Sequence, residues 1–303
     1  MVESRNKSII KARMDLYDTI RAFFRSRGYL EVETPLLVRS PGMEPNLNPF
    51  QAGEYGLITS PEYSMKKLLG SGLGKIFTIT KVFRSGDSET SELHNPEFSM
   101  LEWYEQGVDY YKGMQLTEDL IRACGLDLSW SRYRVKDLMS EYVGVDLDTA
   151  TRADLIKACQ EHSLSISEDD TESDLFYRLF ISKIEPELSK DPACIVYDYP
   201  IYQSALARLT SDGKYAERFE AYLGGVELCN AFTELTDPIE QRCRFEIEAK
   251  ERKQLGKQVW PIDEDLLSAL SSIQNPTFGN ALGLDRLLMK LVGTERIDEV
   301  LLK

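Results

Sequence analysis

With 303 residues, 42% hydrophobic and 28% charged, the chain has the composition of a soluble globular protein and can bury a substantial core as one large domain. Acidic residues outnumber basic ones 50 to 36, for a net charge of −14, and no Lys/Arg cluster stands out, so a nucleic acid such as tRNA is disfavoured as a partner. No apolar run approaches the ~20 residues of a membrane span, and the N-terminal MVESRNKSIIKARMD lacks a signal-peptide core. Cys124, Cys159, Cys194, Cys229 and Cys243 are an odd number with no Cys-x-x-Cys pair, which argues against a disulfide framework and against a zinc site. A reducing cytoplasm is the expected location.

Asn6 to Arg27 reads as an amphipathic helix, with Ile9, Ile10, Leu16, Tyr17, Ile20, Phe23 and Phe24 at helical spacing and Gly28 as its stop. A strand with Val32 follows and breaks at Pro35. Ser60-Pro61-Glu62 opens a short helix. IFTITKVF (Ile76 to Phe83) is β-branched and aromatic, and EFSMLEWY alternates apolar with polar residues from Phe98. The polar stretch between them predicts a β-hairpin with a ligand-facing loop. Asp109 to Cys124 is expected to be helical. From about 131 to 190 the texture turns helical and polar, which reads as an insertion between two halves of a sheet. Strands resume with CIVYDYP, AERFEAYL and ELCNAFTEL, and a charged helix runs from Ile239 to Leu255, stopped by Gly256. No internal repeat or low-complexity tract is present.

Four segments carry chemistry. FRSGDSETSELHNPEFSMLEWY (Phe83 to Tyr104) resembles motif 2 of class II aminoacyl-tRNA synthetases in the form typical of the lysine enzymes. GYLEVETPLL (Gly28 to Leu37) resembles motif 1, with its proline at Pro35, and GNALGLDRLLM (Gly279 to Met289) resembles motif 3. VELCNAFTELTDPIEQRCRF (Val226 to Phe245) is similar to the amino-acid-recognition strand of lysyl-tRNA synthetases. Four such matches in the family's order cover nearly the whole chain, whereas one alone would be weak. The resemblance implies an α+β fold with a mostly antiparallel sheet flanked by helices, a single domain over 1–303 with the helical insertion, and a homodimer through motif 1. The β-barrel that binds the anticodon in bacterial lysyl-tRNA synthetases is expected to be missing, since the motif 1 helix begins within the first ten residues given.

It also implies roles for single residues. Arg84 and Arg286 would be the catalytic pair, both contacting ATP, because a planar guanidinium fork binds phosphate oxygens in a fixed geometry. Asp87, His94, Asn95, Phe98, Glu227, Leu228 and Gly283 would also contact ATP; the carboxylate that meets adenine is Asp87 or another. Glu227 and Glu234 would serve Mg2+, with Glu227 the better metal candidate and Glu234 the better partner for a substrate ammonium. Glu62, Glu102, Asn230 and Glu234 would bind lysine, with Tyr104 and Phe232 as walls for its methylene chain and Ala281 in the pocket floor; carboxylates and aromatic faces suit a dication. In isolation, Arg84 reads as a surface arginine, Asp285 as an ordinary partner for Arg286, and Glu220 and His162 as solvated surface.

Two departures from lysyl-tRNA synthetases narrow the family. Ser85-Gly86-Asp87 stands where Asn-Glu follows the motif 2 arginine, and Ala281 stands where the tRNA enzymes have glycine. Both are closer to the stand-alone paralogue, the elongation factor P–lysine ligase. That family would activate (R)-β-lysine or lysine with ATP and acylate a lysine ε-amine of elongation factor P, a protein that resembles tRNA in shape. A one-carbon change in a pocket is worth roughly 1–3 kcal/mol of discrimination, so the Ala281 methyl is either a selector for β-lysine or a packing methyl. A minimal tRNA-charging enzyme and a non-catalytic paralogue are the competing readings.

Overall fold

The computed structural model describes residues 2–86, 89–204 and 206–301. Two compact units divide the chain: unit one comprises 1–127 and 234–303, and unit two comprises 128–233.

Unit one begins with α1 (Val2–Arg25), ended by Gly28 at φ 79°, a left-handed turn that glycine adopts without a Cβ penalty. The helix buries Leu16, Ile20, Phe23 and Phe24, whereas Ile10 is 44% exposed because its position lies about 100° around the helix from Ile9. β1 (Leu30–Glu31) is shorter than expected and stops before Val32, whose N–H still donates to Phe77 O at 2.9 Å. A small antiparallel sheet follows, with β2 (Leu37–Val38), β3 (Gln51–Ala52) and β4 (Tyr55–Leu57) in the order β2-β4-β3. Then come α2 (Glu62–Gly70), β5 (Lys75–Phe83), β6 (Glu97–Gln106) and α3 (Tyr110–Ala123). Asp109 caps α3 by accepting from Lys112 N.

Unit two opens with β7 (Ser131–Arg134), so the stretch expected to be helical begins as a strand, docked in parallel on Cys194–Tyr197. Helices α4 (Val135–Leu138), α5 (Arg152–Glu161), α6 (Glu172–Leu179) and α7 (Glu185–Leu188) follow, then β8 (Ala193–Pro200), β9 (Tyr215–Leu223) and β10 (Val226–Thr233). Thr151 with Asp154 and Thr171 with Asp174 form capping boxes that start α5 and α6. Leu155, Leu175, Phe176, Phe180 and Tyr199 belong to this unit's own apolar core. The unit's strands run β10-β9-β8-β7, antiparallel except for the β7–β8 pair.

Unit one resumes with α8 (Pro238–Gln254), α9 (Glu264–Leu270), β11 (Thr277–Gly283) and α10 (Leu284–Val292). Its larger sheet runs β1-β5-β6-β11, parallel at β1–β5 and antiparallel elsewhere. Phe24 stacks on Phe77 at 4.9 Å and lies 5.4 Å from Trp103, which seats α1 on one face of that sheet. The opposite side chains of β6 and β11 carry Met100, Glu102 and Tyr104 opposite Gly283, Ala281 and Gly279. Cross-strand pairing therefore sets Gly279 beside Tyr104 and Ala281 beside Glu102.

Candidate active site

In unit one an acidic pocket is built on this small-residue face. Ser60 precedes α2, and its Oγ accepts from the Glu62 N–H at 3.0 Å while donating to Glu102 Oε1 in a short hydrogen bond. Tyr104 OH donates to the other Glu102 oxygen at 2.9 Å. Glu102 is fully buried; burial first, and then the charge of Glu62, push its pKa up to about 8, against the pull of the Ser60 and Tyr104 hydrogen bonds.

Glu234 enters just after β10 and is also fully buried. Its backbone N–H donates to Thr277 O at 2.7 Å, which aims the side chain. Glu234 Oε2 lies 2.6 Å from Lys66 Nζ, and the same ammonium lies 2.5 Å from Glu62 Oε1. Glu234 Oε1 has no hydrogen-bond partner among the described residues. Burial and the neighbouring Glu62 and Glu102 push the Glu234 pKa up, and Lys66 opposes them. Burial works against the Lys66 ammonium, but Glu234 and Glu62 outweigh it and hold its pKa above the ordinary lysine value. Directly beneath is Gly279: a Cβ there would lie 2.0 Å from Glu234 Oε1 and 2.4 Å from Tyr104 Cε1.

The motif 2 and motif 3 residues of unit one form a second group. Arg84 follows β5; its Nε donates to Thr59 O at 3.4 Å, and its guanidinium lies 5.2 Å from the centre of the Phe98 ring. Arg286, on α10, donates from Nε to Leu93 O at 3.3 Å and brings Nη2 within 2.8 Å of His94 Nε2. His94 Nδ1 in turn meets Ser91 Oγ at 2.8 Å. Asn95 donates its amide to Glu97 O at 2.6 Å, bracing the loop against β6. Asp87 lies outside the described residues. Asp285 does not pair with Arg286: it accepts from Ser99 N at 2.6 Å and forms an ion pair with Arg13 at 2.6 Å, which locks α10 to β6 and α1. Ala281 packs against Ile58, Val82 and Met100, beside Phe98. Gly283 ends β11 and caps α10.

In unit two, Glu227, Leu228, Asn230 and Phe232 share β10. Leu228 and Phe232 are buried. Arg218 Nε donates to Asn230 Oδ1 at 2.9 Å; the same guanidinium reaches Gln203 O at 2.7 Å, Glu220 at 2.6 Å and Tyr177 OH at 3.3 Å. Glu220 is not a solvated residue. It is 6% exposed, bonded by Tyr199 at 2.6 Å and Tyr222 at 2.5 Å. Burial raises its pKa, Arg218 lowers it, and the charge of Glu227 raises it again. His162 Nε2 lies 3.3 Å from Val143 O. Sequence reasoning missed Lys66, Gly279 and Arg218.

An α+β fold with an arginine at the strand end of a hairpin, a second arginine on the motif 3 helix and an acidic pocket between small residues defines a class II synthetase catalytic fold. The family described as tRNA synthetases class II (D, K and N) matches residues 1–302. The elongation factor P–(R)-β-lysine ligase of Mannheimia succiniciproducens is 39% identical over 301 residues, covering 95% of this chain and 92% of the relative. Those of Avibacterium paragallinarum and Haemophilus influenzae (strain PittGG) are 40% and 38% identical, covering 96% and 97% of this chain and 93% and 94% of the relatives. The chain belongs to the family of elongation factor P–(R)-β-lysine ligases, within the class II tRNA synthetases.

Proposed function

We propose that the protein is an ATP-dependent, AMP-forming ligase that activates (R)-β-lysine, or lysine, and transfers it to the ε-amine of a lysine on elongation factor P. The observation that carries this reading is the acidic pocket: Glu62, Glu102 and Glu234 around a single resident ammonium, with Glu234 Oε1 without a partner among the described residues. Three carboxylates against one cation suit a substrate bearing two ammonium groups. The 38–40% identity to relatives named for this activity supports the same acceptor.

In the first step the substrate carboxylate attacks the α-phosphorus of ATP, the bond to the bridging oxygen breaks, and pyrophosphate leaves. Arg84, braced on Phe98, and Arg286, braced by His94, hold phosphate oxygens and stabilise the charge that builds on them. In the second step the neutral acceptor amine attacks the acyl carbon, AMP leaves, and the amine loses a proton as the amide forms. We assign Asn95, Phe98, Leu228 and Gly283 to ATP contacts, and Asn230, Tyr104 and Phe232 to the substrate.

Magnesium binds through few protein carboxylates together with substrate phosphates. Among the described residues no cluster of three or more His, Cys, Asp or Glu side chains forms a self-contained metal cage. A lone carboxylate with phosphates fits the ion, and Glu227 on β10 supplies one. Glu234, engaged by Lys66, suits the ammonium better than the metal. Bound there, the cation would neutralise charge on the leaving pyrophosphate. A homodimer through the motif 1 segment and a cytoplasmic location complete the reading; no helix among the described residues is long and apolar enough to cross a membrane.

ATP–pyrophosphate exchange with (R)-β-lysine and with lysine, beside a tRNA-charging assay, tests the proposal. Exchange that depends on either isomer without tRNA charging is expected. Charging of lysine tRNA at the exchange rate would transfer the assignment to a minimal tRNA synthetase, and no exchange with any isomer would make the chain a non-catalytic paralogue.

A further inference from the structure

Lys66 is the least ordinary residue of the pocket. It is 1% exposed, on the second turn of α2, and its ammonium bridges one oxygen of Glu62 and one of Glu234. A salt bridge between residues four apart on a helix is commonly a surface feature worth little. Here both partners point inward, and the second carboxylate comes from a segment 168 residues away in sequence. A bridging cation fixes the geometry of both acids, since each gives it one oxygen and keeps the other.

We propose that Lys66 is the positioning residue of the ammonium pocket: a built-in cation that bridges Glu62 and Glu234 and turns Glu234 Oε1 toward the substrate ammonium. The inference rests on the lysine-activating function proposed above and deepens it. Gly279 is the second half of the device. Because its Cα carries no side chain, Glu234 Oε1 and the Tyr104 ring settle against it, so Oε1 is held from below while Oε2 is held by Lys66. The pocket then presents one oxygen of a fixed acid to an ammonium at a fixed distance along the methylene chain. That is a length gauge as well as a charge match.

The charged and titratable groups around Lys66 are Glu62 on its own helix, Glu234, and Glu102 with Tyr104 on β6; Glu44 also lies within its field. Without Lys66 the acids face one another uncompensated, so protons replace the missing cation and must leave again when substrate binds. Burial already pushes Glu102 upward, which adds to the same tendency.

The test uses the full chain in ATP–pyrophosphate exchange, with Lys66→Met and Lys66→Ala. Lys66→Met keeps most of the stem and loses the charge. At neutral pH its KM for lysine or (R)-β-lysine should rise by roughly 10- to 100-fold, with kcat much less affected. The pH at which KM reaches its floor should move upward by about one unit or more. For Lys66→Ala, propylammonium replaces the deleted atoms from Cγ to Nζ and should restore the low KM, whereas propan-1-ol should not. Should Lys66→Ala fail to fold, the pH profile of Lys66→Met decides alone. A substrate KM at neutral pH that is unchanged or lower in Lys66→Met, or a pH profile that overlays the wild type, overturns the proposal. So does equal rescue by the alcohol, which would mark Lys66 as a space-filler. Absence of exchange in the wild-type protein would instead refute the function itself.

Discussion

Arg286 Nη2 stands 2.8 Å from Nε2 of His94, so the motif 3 arginine and the motif 2 loop form one contact. A guanidinium only donates, which makes His94 Nε2 the acceptor and places the imidazole proton on Nδ1, toward Ser91 Oγ. The neutral imidazole thus orients the arginine. Replacing Arg286 with lysine keeps the charge and removes the fork, and exchange should fall by about 10²- to 10³-fold. Arg84→Ala and Arg286→Ala should both abolish it. Normal exchange by either alanine variant would remove that residue from phosphate binding.

His94→Ala leaves Arg286 its bond to the Leu93 carbonyl but removes its anchor at Nη2. The expected result is a rise in KM for ATP of about 10-fold, the cost of one charge-assisted hydrogen bond, with KM for lysine unchanged. Initial-rate measurements that vary each substrate in turn separate the two. A selective effect on lysine would contradict the assignment.

Glu102 sets a pH dependence. Its pKa in the free pocket is raised to about 8, chiefly by burial and then by Glu62. A substrate ammonium favours the ionised carboxylate, so binding below that pH expels a proton and affinity should increase as pH rises from about 6.5 to 8.5. The same raised pKa contributes stability to the free protein that is lost as pH rises through about 8. Thermal shifts induced by lysine should therefore grow over this range. A shift that shrinks would show that the ammonium does not engage Glu102.

Gly279→Ala tests the pocket floor. The new methyl meets Glu234 Oε1 at 2.0 Å and the Tyr104 ring at 2.4 Å, so something must move. Destabilisation of about 1–3 kcal/mol should accompany a large rise in KM for lysine, measured by urea unfolding and by exchange. An unaltered lysine KM would mean that Glu234 does not contact the substrate.

In unit two, Arg218 joins Asn230, Gln203, Glu220 and Tyr177. Arg218→Met leaves the buried Glu220 without its cation and should cost about 3–5 kcal/mol in stability. Arg218→Lys should recover little, since one ammonium cannot reach four partners. Full recovery by lysine would show that charge alone matters there.

Much of the candidate site could be read because motif chemistry is local. Arg84, His94 and Glu102 lie within one hairpin, and a strand alternation of two places Met100, Glu102 and Tyr104 on one face. What stayed hidden depends on contacts distant in sequence. Lys66 carried no motif signal, and only the closure of Glu234, 168 residues further on, makes it part of the pocket. Asp285 beside Arg286 suggested a pair, but its partner is Arg13, on the first helix. Glu220 passed for a solvated face because its own strand cannot show that Tyr199 of β8 joins Arg218 and Tyr222 over it. Ser131–Arg134 is polar enough to pass for the start of a helical region, and only the parallel pairing with β8 makes it a strand.

The central claim is the acceptor. The intact mass of elongation factor P, measured after incubation with this protein, Mg-ATP and either (R)-β-lysine or lysine, tests it most directly. A gain of one lysyl residue, faster with (R)-β-lysine and absent with Arg84→Ala, is the predicted result. An unchanged mass, while exchange shows that the adenylate forms, would contradict it.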